Sequence, residues 1–172
     1  MSLVLAPEYI IPLEKGHERS AFDCGNDELN RYLKQQARQD AEKYVAAPFV
    51  LIESAAPIVR GYYTLSSSRI PLEELPADLA SKLPRYASLP VTLLGRLARD
   101  KTIPDAGLGE FLLLDALHRS LQHARQIASM AVVVDAKDEQ AERFYRHFNF
   151  LPFQQTPLRL FLPMRQIEKL FA

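Results

Sequence analysis

The sequence predicts a single mixed α/β domain, and three observations support this prediction. Short apolar runs that are typical of strands alternate with longer runs whose apolar residues recur every three or four positions, as in helices. The length of 172 residues fits one domain with a sizeable core. No apolar run approaches the roughly 18 residues that a membrane span requires. We therefore expect one domain over residues 1–172, built on one mixed sheet.

Charge and cysteine content limit the function classes. The 21 basic and 21 acidic side chains balance, so only a local basic patch could attract a polyanion. Cys24 is the single cysteine and forms no internal disulfide. The first twenty residues lack the pattern of a secretory signal. These features favour a cytoplasmic protein, and no Cys/His set indicates a metal.

The first half of the chain predicts three strands and two helices. The strands are expected at 9–13, 49–53 and 58–65, where Gly61 marks a bulge or a close contact. Asn26 is the expected N-cap of a helix over 27–44, because Asp27 and Glu28 follow it and apolar residues up to Tyr44 lie three or four apart. A short helix is expected at 77–82.

The second half predicts a strand–turn–helix unit followed by strands and helices in alternation. A strand begins at 90, glycines mark a turn at 107–109, and a helix is expected over 110–124. A buried strand at 128–135 precedes a helix at 138–148, which Asn149 is expected to terminate in a left-handed conformation. Strands at 150–153 and 158–162 and a helix at 164–171 complete the prediction.

The strand–turn–helix unit is the candidate binding site. The first amides of a helix lack intrahelical acceptors and carry partial positive charge, which suits a phosphate. Gly107 and Gly109 would let an anion approach the backbone. A turn that only packs the helix against the sheet is the alternative interpretation.

A basic segment lies next to this unit. Lys82, Arg85, Arg96, Arg99 and Lys101 oppose one acid, Asp100, which gives a net charge of 5 − 1 = +4. The segment predicts either a surface for a polyanion or a solvated rim whose charges are offset elsewhere.

Three stretches together resemble one superfamily. LGRLARDKTIPDAGLGEFLLLDAL at 94–117 and VVVDAKDEQAERFYRHFNF at 132–150 are similar to the cofactor-binding and thiolate-side motifs of GNAT acetyltransferases. FDCGNDELNRYL at 22–33, with GYYTLSSSRIP at 61–71, resembles the acetyltransferase toxins of bacterial type II toxin–antitoxin systems. The resemblance implies a mostly antiparallel sheet of about six to seven strands with helices on both faces.

The resemblance also implies acetyl-CoA as co-substrate and names its binding residues. The diphosphate would bind amides from Ala106 to Glu110, and the pantetheine arm would align with Leu97, Ala98 and Arg99. The amide of Ala98 or Arg99 would polarise the thioester carbonyl. The full set of expected cofactor-binding residues is Leu97, Ala98, Arg99, Pro104, Ala106, Gly107, Leu108, Gly109, Glu110 and Asp138.

Four positions depart from the family pattern, and one of them is Arg99, which stands where a small aliphatic residue is common and would partly offset the charge of Asp105. Pro104 stands where the family carries Gln or Arg and supplies no N–H. Asp105 replaces a glycine and puts negative charge near a phosphate, so we expect reduced affinity for the cofactor. Asp138 stands where the family has an Asn that touches the cofactor, and it keeps an acceptor but loses the amide donor.

Tyr145 takes the general-acid role in the resemblance. A free thiol has a pKa of about 8.5 and a tyrosine one of about 10, so a tyrosine can hold a proton at neutral pH and pass it to the departing thiolate. A core aromatic residue beside Phe144 and Phe148 is the alternative interpretation.

The toxin branch acetylates the α-amino group of aminoacyl-tRNA and is restrained by a ribbon-helix-helix antitoxin. Carried over to this chain, Lys82, Arg85 and Arg96 would contact the tRNA. Two alternatives stay open, namely an N-acetyltransferase for a protein or small-molecule amine and a catalytically silent CoA- or antitoxin-binding module. The preferred amino acid and homodimer formation also stay open.

Overall fold

Seven strands form the sheet in a computed structural model that describes residues 9–53, 56–104 and 107–172. They are β1 (Ile10–Pro12), β2 (Ala47–Glu53), β3 (Ala56–Pro71), β4 (Ser88–Arg99), β5 (Ala131–Asp135), β6 (Leu151–Pro152) and β7 (Arg159–Pro163). Their order is β1-β2-β3-β4-β5-β7-β6, so β1 and β6 are the outermost strands. The mixed α/β class and the expected number of strands are confirmed.

Six α-helices accompany the strands in the described part of the chain. They are α1 (Asp27–Arg31), α2 (Ala37–Glu42), α3 (Ala77–Ala80), α4 (Leu108–Ala124), α5 (Glu139–His147) and α6 (Met164–Leu170). A π-helical turn, Tyr32–Gln36, joins α1 to α2, and a 3-10 turn, Leu72–Glu74, follows β3. Among the helices described, none combines the length and hydropathy that crossing a bilayer requires.

The sheet is mostly antiparallel. The pairs β1–β2, β2–β3, β5–β7 and β6–β7 run antiparallel, whereas β4 and β5 run parallel from Thr92↔Val132 to Leu94↔Val134. A parallel pair needs a crossover connection, and α4 provides it between β4 and β5.

The chain contains two compact units, and the first holds residues up to Ser66 together with Gly95–Ala116. Its apolar cluster combines one end of β4 with residues from the α1–α2 segment and from β2 and β3. The buried members are Leu13, Phe22, Tyr32, Leu33, Ala37, Val50, Val59, Tyr62 and Ala98. This cluster fixes the end of β4 on which the candidate site depends.

The second unit holds Ser67–Leu94 and Leu117–Ala172. Its cluster packs β5 and β7 with the last part of β3, the segment after it and the first part of β4. The buried members are Ile70, Leu75, Leu89, Val91, Ala131, Val133, Phe153 and Phe161. Four successive residues of β5, from Ala131 to Val134, are at most 1% exposed, as expected for a strand covered on both faces.

The first helical segment begins where predicted but is not one continuous α-helix. Asn26 caps it, because its Oδ1 accepts the Leu29 N–H at 3.0 Å. The π-helical turn then lets the Ala37 N–H bond to the carbonyl of Tyr32, which keeps both residues on the buried face although they are five apart. The expected helix up to Tyr44 is wrong at its end. The helix stops at Glu42, and Tyr44 is 96% exposed in a left-handed conformation (φ 58°).

Five strands, β1, β2, β3, β5 and β6, differ in length from their predicted bounds, and the largest difference is in β3. β3 continues to Pro71 although Ser66, Ser67 and Ser68 interrupt the apolar alternation, because the strand next buries Ile70 in the core of the second unit. β6 contains only Leu151 and Pro152, and the proline has no N–H for a longer ladder. Asn149 adopts the predicted left-handed conformation after α5 (φ 69°).

Gly61 satisfies both predicted roles. Leu51 pairs with Gly61 but Ile52 pairs with Val59, so Arg60 is an extra residue in a β-bulge. A Cβ on Gly61 would lie 2.9 Å from Leu112 Cδ1 and 3.3 Å from the carbonyl oxygen of Ala98. The absence of a side chain therefore allows α4 and β4 to pack closely on β3.

We expect Gly61→Ala to lower the free energy of unfolding by about 1–3 kcal/mol, because the new methyl group overlaps Leu112 and crowds the Ala98 carbonyl. Urea unfolding measures this loss. Gly16→Ala is the matched control, since a Cβ there meets no atom within 4 Å, and its unfolding midpoint should not fall. Equal stability of the two variants would contradict the packing argument.

Candidate functional site

The end of β4 offers backbone groups outside the β4–β5 ladder. Pairing with β5 covers Thr92–Leu94 only, and within the described residues the remainder of β4 has no register with β5. This remainder contains Leu97, Ala98 and Arg99, for which the sequence analysis predicts contacts with the pantetheine arm. Ala98 is buried, whereas Leu97 and Arg99 are half-buried. The ladder between β4 and β5 therefore ends before these three residues.

The start of α4 has the geometry of an anion site. Gly107 has φ +81°, and a Cβ there would meet nothing within 4 Å. Its carbonyl accepts the Phe111 N–H at 2.9 Å, which is the first helical bond. The amides of Leu108, Gly109 and Glu110 lie in the first turn, where a helix provides no acceptors. Gly107 and Glu110 are exposed, so the positive end of this 17-residue helix faces open space.

A buried carboxylate shapes the loop between β4 and α4. Asp100 is 1% exposed, and its carboxylate accepts the Thr102 N–H at 2.8 Å and the Thr102 hydroxyl at 2.6 Å. The Asp23 N–H approaches the other oxygen at 3.3 Å, while the Lys101 N–H donates to the Asp23 carbonyl at 2.8 Å. Asp100 therefore joins the loop to the turn that precedes α1.

That turn is itself ordered by Asp23. Its Oδ1 accepts the Gly25 N–H at 2.8 Å and the Asn30 Nδ2–H at 3.1 Å, and Lys101 Nζ lies 3.2 Å from Oδ2. Gly25 has φ +86°, which a glycine adopts without strain. The motif at 22–33 thus has a structural task, namely to hold the loop that leads to α4.

The sequence analysis treated Asp100 only as a charge that offsets the basic segment. Its local pattern, an Asp followed two residues later by a Thr with both amide and hydroxyl donors, is typical of an Asx-type turn and could have identified its role.

The remaining expected cofactor residues differ in their surroundings. Pro104 is exposed, and the Arg99 guanidinium donates to the Ile103 carbonyl at 3.4 Å, which braces the loop. Ala106 and Asp105 lie outside the described residues. Asp138 is the N-cap of α5, because its Oδ1 accepts the Ala141 N–H at 2.8 Å. Its acceptor is therefore already engaged within α5.

Tyr145 lies on α5 in the second unit and is 8% exposed. Its ring packs against Phe144 and Phe150, with centroids 5.3 and 5.4 Å away. Burial raises the pKa of Tyr145 above the usual value of a phenol, so the hydroxyl holds its proton at neutral pH. In the described part of the chain no group hydrogen-bonds to this hydroxyl. The ring is a core aromatic residue, as in the alternative interpretation of the sequence.

The basic residues of the predicted patch have separate environments. Lys82 and Arg85 are exposed and precede β4 in the second unit. In the first unit, Arg96 lies over the ring of Tyr32 with its Cζ 3.5 Å from the ring centroid. Lys101 is paired with Asp23. Three of the five charges, those of Arg96, Arg99 and Lys101, are thus engaged with neighbours in their own unit.

No metal site accompanies these groups among the residues described. Within 9–53, 56–104 and 107–172, no set of three or more His, Cys, Asp or Glu side chains is grouped closely enough to hold an ion.

Comparison with known proteins identifies relatives along nearly the whole chain. The chain is 30% identical over 175 residues to "Probable toxin TacT" of Sinorhizobium fredii, covering 97% of each sequence. It is 32% identical over 153 residues to the "tRNA-acetylating toxin" of Mycobacterium tuberculosis, covering 89% of this chain and 90% of the relative. No protein-family model matches the chain.

Solved structures of high similarity include two named toxins. A tyrosine-to-phenylalanine mutant of KacT has a TM-score of 0.89 at 29% identity, covering 94% of this chain and 98% of its own. AtaT complexed with acetyl-methionyl-tRNAfMet has a TM-score of 0.88 at 28% identity, covering 95% and 98%.

AtaT has also been solved with other ligands. AtaTR bound with AcCoA has a TM-score of 0.84 at 28% identity, covering 95% of this chain and 97% of its own. A tyrosine-to-phenylalanine AtaT mutant bound to the C-terminus of the antitoxin AtaR has a TM-score of 0.81 at 26% identity, with the same coverage.

The carboxylates that hold the loop predict acid sensitivity. The Gly25 amide, the Asn30 side chain and Lys101 lower the pKa of Asp23 to about 2. Burial alone would raise the pKa of Asp100, but the hydrogen bonds from Thr102 and Asp23 outweigh it and lower the pKa. A carboxyl group with a lowered pKa stabilises the fold above its unfolded-state pKa, near 4. The stabilisation is lost as the pH falls through the folded-state value.

We expect Asp100→Asn to lower the free energy of unfolding at pH 7 by about 1–3 kcal/mol. The side-chain NH2 of asparagine is a donor, and it would face the N–H and O–H donors of Thr102 or the N–H of Asp23. The variant should also lose less stability than the wild type between pH 4 and pH 2. Urea unfolding at each pH measures both effects. Asp78→Asn, an exposed change in α3, is the control, and an identical pH profile for Asp100→Asn and wild type would contradict the assignment.

Proposed function

The chain belongs to the acetyltransferase toxins of the GNAT superfamily, and from this premise we propose that it transfers the acetyl group of acetyl-CoA to the α-amino group of aminoacyl-tRNA. The single observation that carries this proposal is the 32% identity to a tRNA-acetylating toxin over 89% of the chain. The similarity to AtaT complexed with acetyl-methionyl-tRNAfMet supports the same acceptor class. Because the relatives match nearly the full length, we propose that residues 1–172 act as one acetyltransferase domain.

The first turn of α4 is the proposed site for the coenzyme diphosphate. Acetyl-CoA supplies the acetyl group as an activated thioester when it is bound. The residues present fit its diphosphate, since exposed Gly107 leaves open space beside the first helical turn, whose amides from Leu108 to Glu110 have no acceptor within the helix. Ala106 completes this set by its position in the sequence. AtaTR bound with AcCoA is a structural relative, which supports the same ligand here.

The end of β4 is the proposed site for the pantetheine arm and the thioester. Leu97, Ala98 and Arg99 would pair through the backbone with the amide groups of the arm. An N–H of Ala98 or Arg99 would donate to the thioester carbonyl oxygen and stabilise the negative charge that develops there. The Arg99 side chain holds the loop through Ile103, so it serves the site by bracing it.

Tyr145 is the proposed general acid. The neutral amine forms a bond to the acetyl carbon, the carbon–sulfur bond breaks, and the Tyr145 hydroxyl gives its proton to the leaving thiolate. The proton of the attacking nitrogen goes to solvent, from which the phenolate is then reprotonated. Burial keeps the phenol protonated until sulfur carries charge. KacT and AtaT have both been solved as variants in which a tyrosine is replaced by phenylalanine, and this supports a functional tyrosine in the present chain.

Residues that depart from the family pattern lower the affinity that we expect for acetyl-CoA. Pro104 contributes no N–H to the coenzyme, and Asp105 adds negative charge close to the diphosphate in sequence. Asp138 caps α5 and so contributes to the coenzyme at most through its remaining oxygen. We propose that binding is weakened by these residues and retained through the α4 amides.

Lys82, Arg85 and Arg96 are the proposed contacts to the tRNA backbone. The partner that restrains the enzyme is proposed to be an antitoxin of the ribbon-helix-helix class, since AtaT is known bound to the C-terminus of the antitoxin AtaR. Because the acceptor is charged tRNA, the proposed place of action is the cytoplasm.

We expect Gly107→Ala to raise the Kd for acetyl-CoA about tenfold, because its methyl group would occupy the space beside the first-turn amides of α4 and disturb a left-handed residue. Isothermal titration calorimetry measures the change. Gly16→Ala is the control for the substitution itself. An unchanged Kd in Gly107→Ala would contradict the proposal that this turn binds the diphosphate.

We expect Tyr145→Phe to lower kcat by about 10²–10⁴-fold with little change in the KM for acetyl-CoA, because only the proton donor is lost. Mass spectrometry of charged tRNA after incubation with enzyme and acetyl-CoA measures transfer and identifies the acetylated amino acid. Tyr44→Phe removes a fully exposed hydroxyl elsewhere and should be fully active. A wild-type enzyme that acetylates no aminoacyl-tRNA would refute the proposed function.

A further inference from the structure

The guanidinium of Arg96 is held in one place by an aromatic platform in the first unit. Its Cζ lies 3.5 Å from the centroid of the Tyr32 ring, which is close cation–π contact. Tyr32 is 8% exposed and stacks on the fully buried Tyr62, with centroids 6.3 Å apart and an interplanar angle of 16°. The platform therefore rests on the core and not on a mobile surface side chain.

Hydrogen bonds fix the platform at both rings. The Tyr32 hydroxyl donates to Asp40 Oδ2 at 2.8 Å, and Gln36 Nε2 donates to the other oxygen at 2.8 Å. The Tyr62 hydroxyl donates to the Leu29 carbonyl at 2.8 Å. Burial and then the bond to Asp40 raise the pKa of Tyr32 to about 12, so the ring stays neutral at physiological pH. The π-helical turn places Tyr32 and Gln36 around the same carboxylate.

In the ranges that the structure describes, the guanidinium of Arg96 contacts an aromatic face and forms no ion pair. Among the residues described, no carboxylate lies within ion-pair distance of its guanidinium, and both oxygens of the nearby Asp40 already accept bonds. Stacking on an aromatic face uses the π face of the guanidinium and none of its five N–H groups. A positioned, half-buried guanidinium matches the planar bidentate geometry of a phosphate.

The position of Arg96 along β4 relates it to the reaction. Arg96 and Ala98 are two residues apart and so share one face of the strand, roughly 7 Å from each other. Ala98 packs in the same apolar cluster as Tyr32 and Tyr62. The Ala98 amide is a proposed donor to the thioester carbonyl. Arg96 therefore lies two residues along the strand from the position proposed for the thioester.

We propose that Arg96, positioned by Tyr32, binds the phosphate nearest the aminoacylated 3′ end of the tRNA and so directs the α-amino group toward the thioester. This inference rests on the proposed function, and it adds the positioning role of Tyr32 and the identity of the phosphate that Arg96 binds. In aminoacyl-tRNA the amino group is separated from that phosphate by the amino-acid ester and the terminal ribose. A fixed phosphate contact therefore limits the places the amine can reach. Tyr32 is a positioning residue, because it acts through Arg96.

Two acceptors that differ in this phosphate test the proposal. One is an aminoacylated RNA minihelix, and the other is the same amino acid esterified to adenosine without phosphate. We expect Arg96→Gln to raise the KM for the minihelix roughly tenfold to a hundredfold, as for the loss of a charge-assisted bidentate contact. The KM for acetyl-CoA and the activity toward the aminoacyl-adenosine should stay within twofold of wild type.

Variants of the platform separate positioning from general stability. Tyr32→Phe keeps the ring and should keep the minihelix KM near that of wild type, whereas Tyr32→Leu removes the cation–π surface and should raise it. Arg96→Lys keeps the charge but loses the planar fork, so it should restore only part of the affinity. Arg165→Gln, an exposed change on α6, is the charge-matched control, and thermal unfolding verifies that each variant is folded.

The outcomes distinguish this inference from the proposed function. An active wild type whose minihelix KM is unchanged in Arg96→Gln overturns the phosphate contact and leaves the function standing. Equal losses with minihelix and aminoacyl-adenosine also overturn it, because they indicate a structural role for Arg96. A wild type inactive on every charged RNA refutes the function itself and the inference with it.

Discussion

The buried carboxylate of Asp100 is the interaction on which the candidate site depends. A carboxylate removed from water is tolerated only when donors surround it, and here two donors of Thr102 and the amide of Asp23 provide them. These donors come from both sides of the site, the loop before α4 and the turn before α1. Satisfying one charge therefore fixes the chain from Asp100 to Thr102, directly after β4, against the turn before α1.

The elements with strong local patterns could be predicted from the sequence. Asn26 and Asn149 were recognised as cap residues because their chemistry is local, and β5 was recognised because a strand buried on both faces is a continuous apolar run. The end of the first helical segment was missed, since a π-helical turn leaves no mark in a period of three to four residues. The full length of β3 was missed because Ile70 is buried by tertiary contacts that three preceding serines do not foreshadow.

The candidate site could be predicted in part. Gly107 and the first turn of α4 follow from local backbone chemistry, and the structure has the expected geometry there. The partners of Asp100 and Arg96 could not be foreseen, because Asp23 and Tyr32 are more than sixty positions away in sequence. Asp138 was expected to face a ligand, yet its carboxylate caps α5, a competing use that the same residue type predicts equally well. The catalytic role of Tyr145 remains a proposal.

The two outermost strands have a consequence for assembly. β1 is three residues long and ends in Pro12, and β6 consists of Leu151 and Pro152. Proline has no amide hydrogen to offer an added strand, and such short edges give few bonds of any kind. Copies of the chain that meet at β1 or β6 therefore gain few backbone hydrogen bonds, which disfavours extension of the sheet into a fibre. A protein that binds at these two edges must gain most of its affinity from side chains, so recognition there depends on sequence.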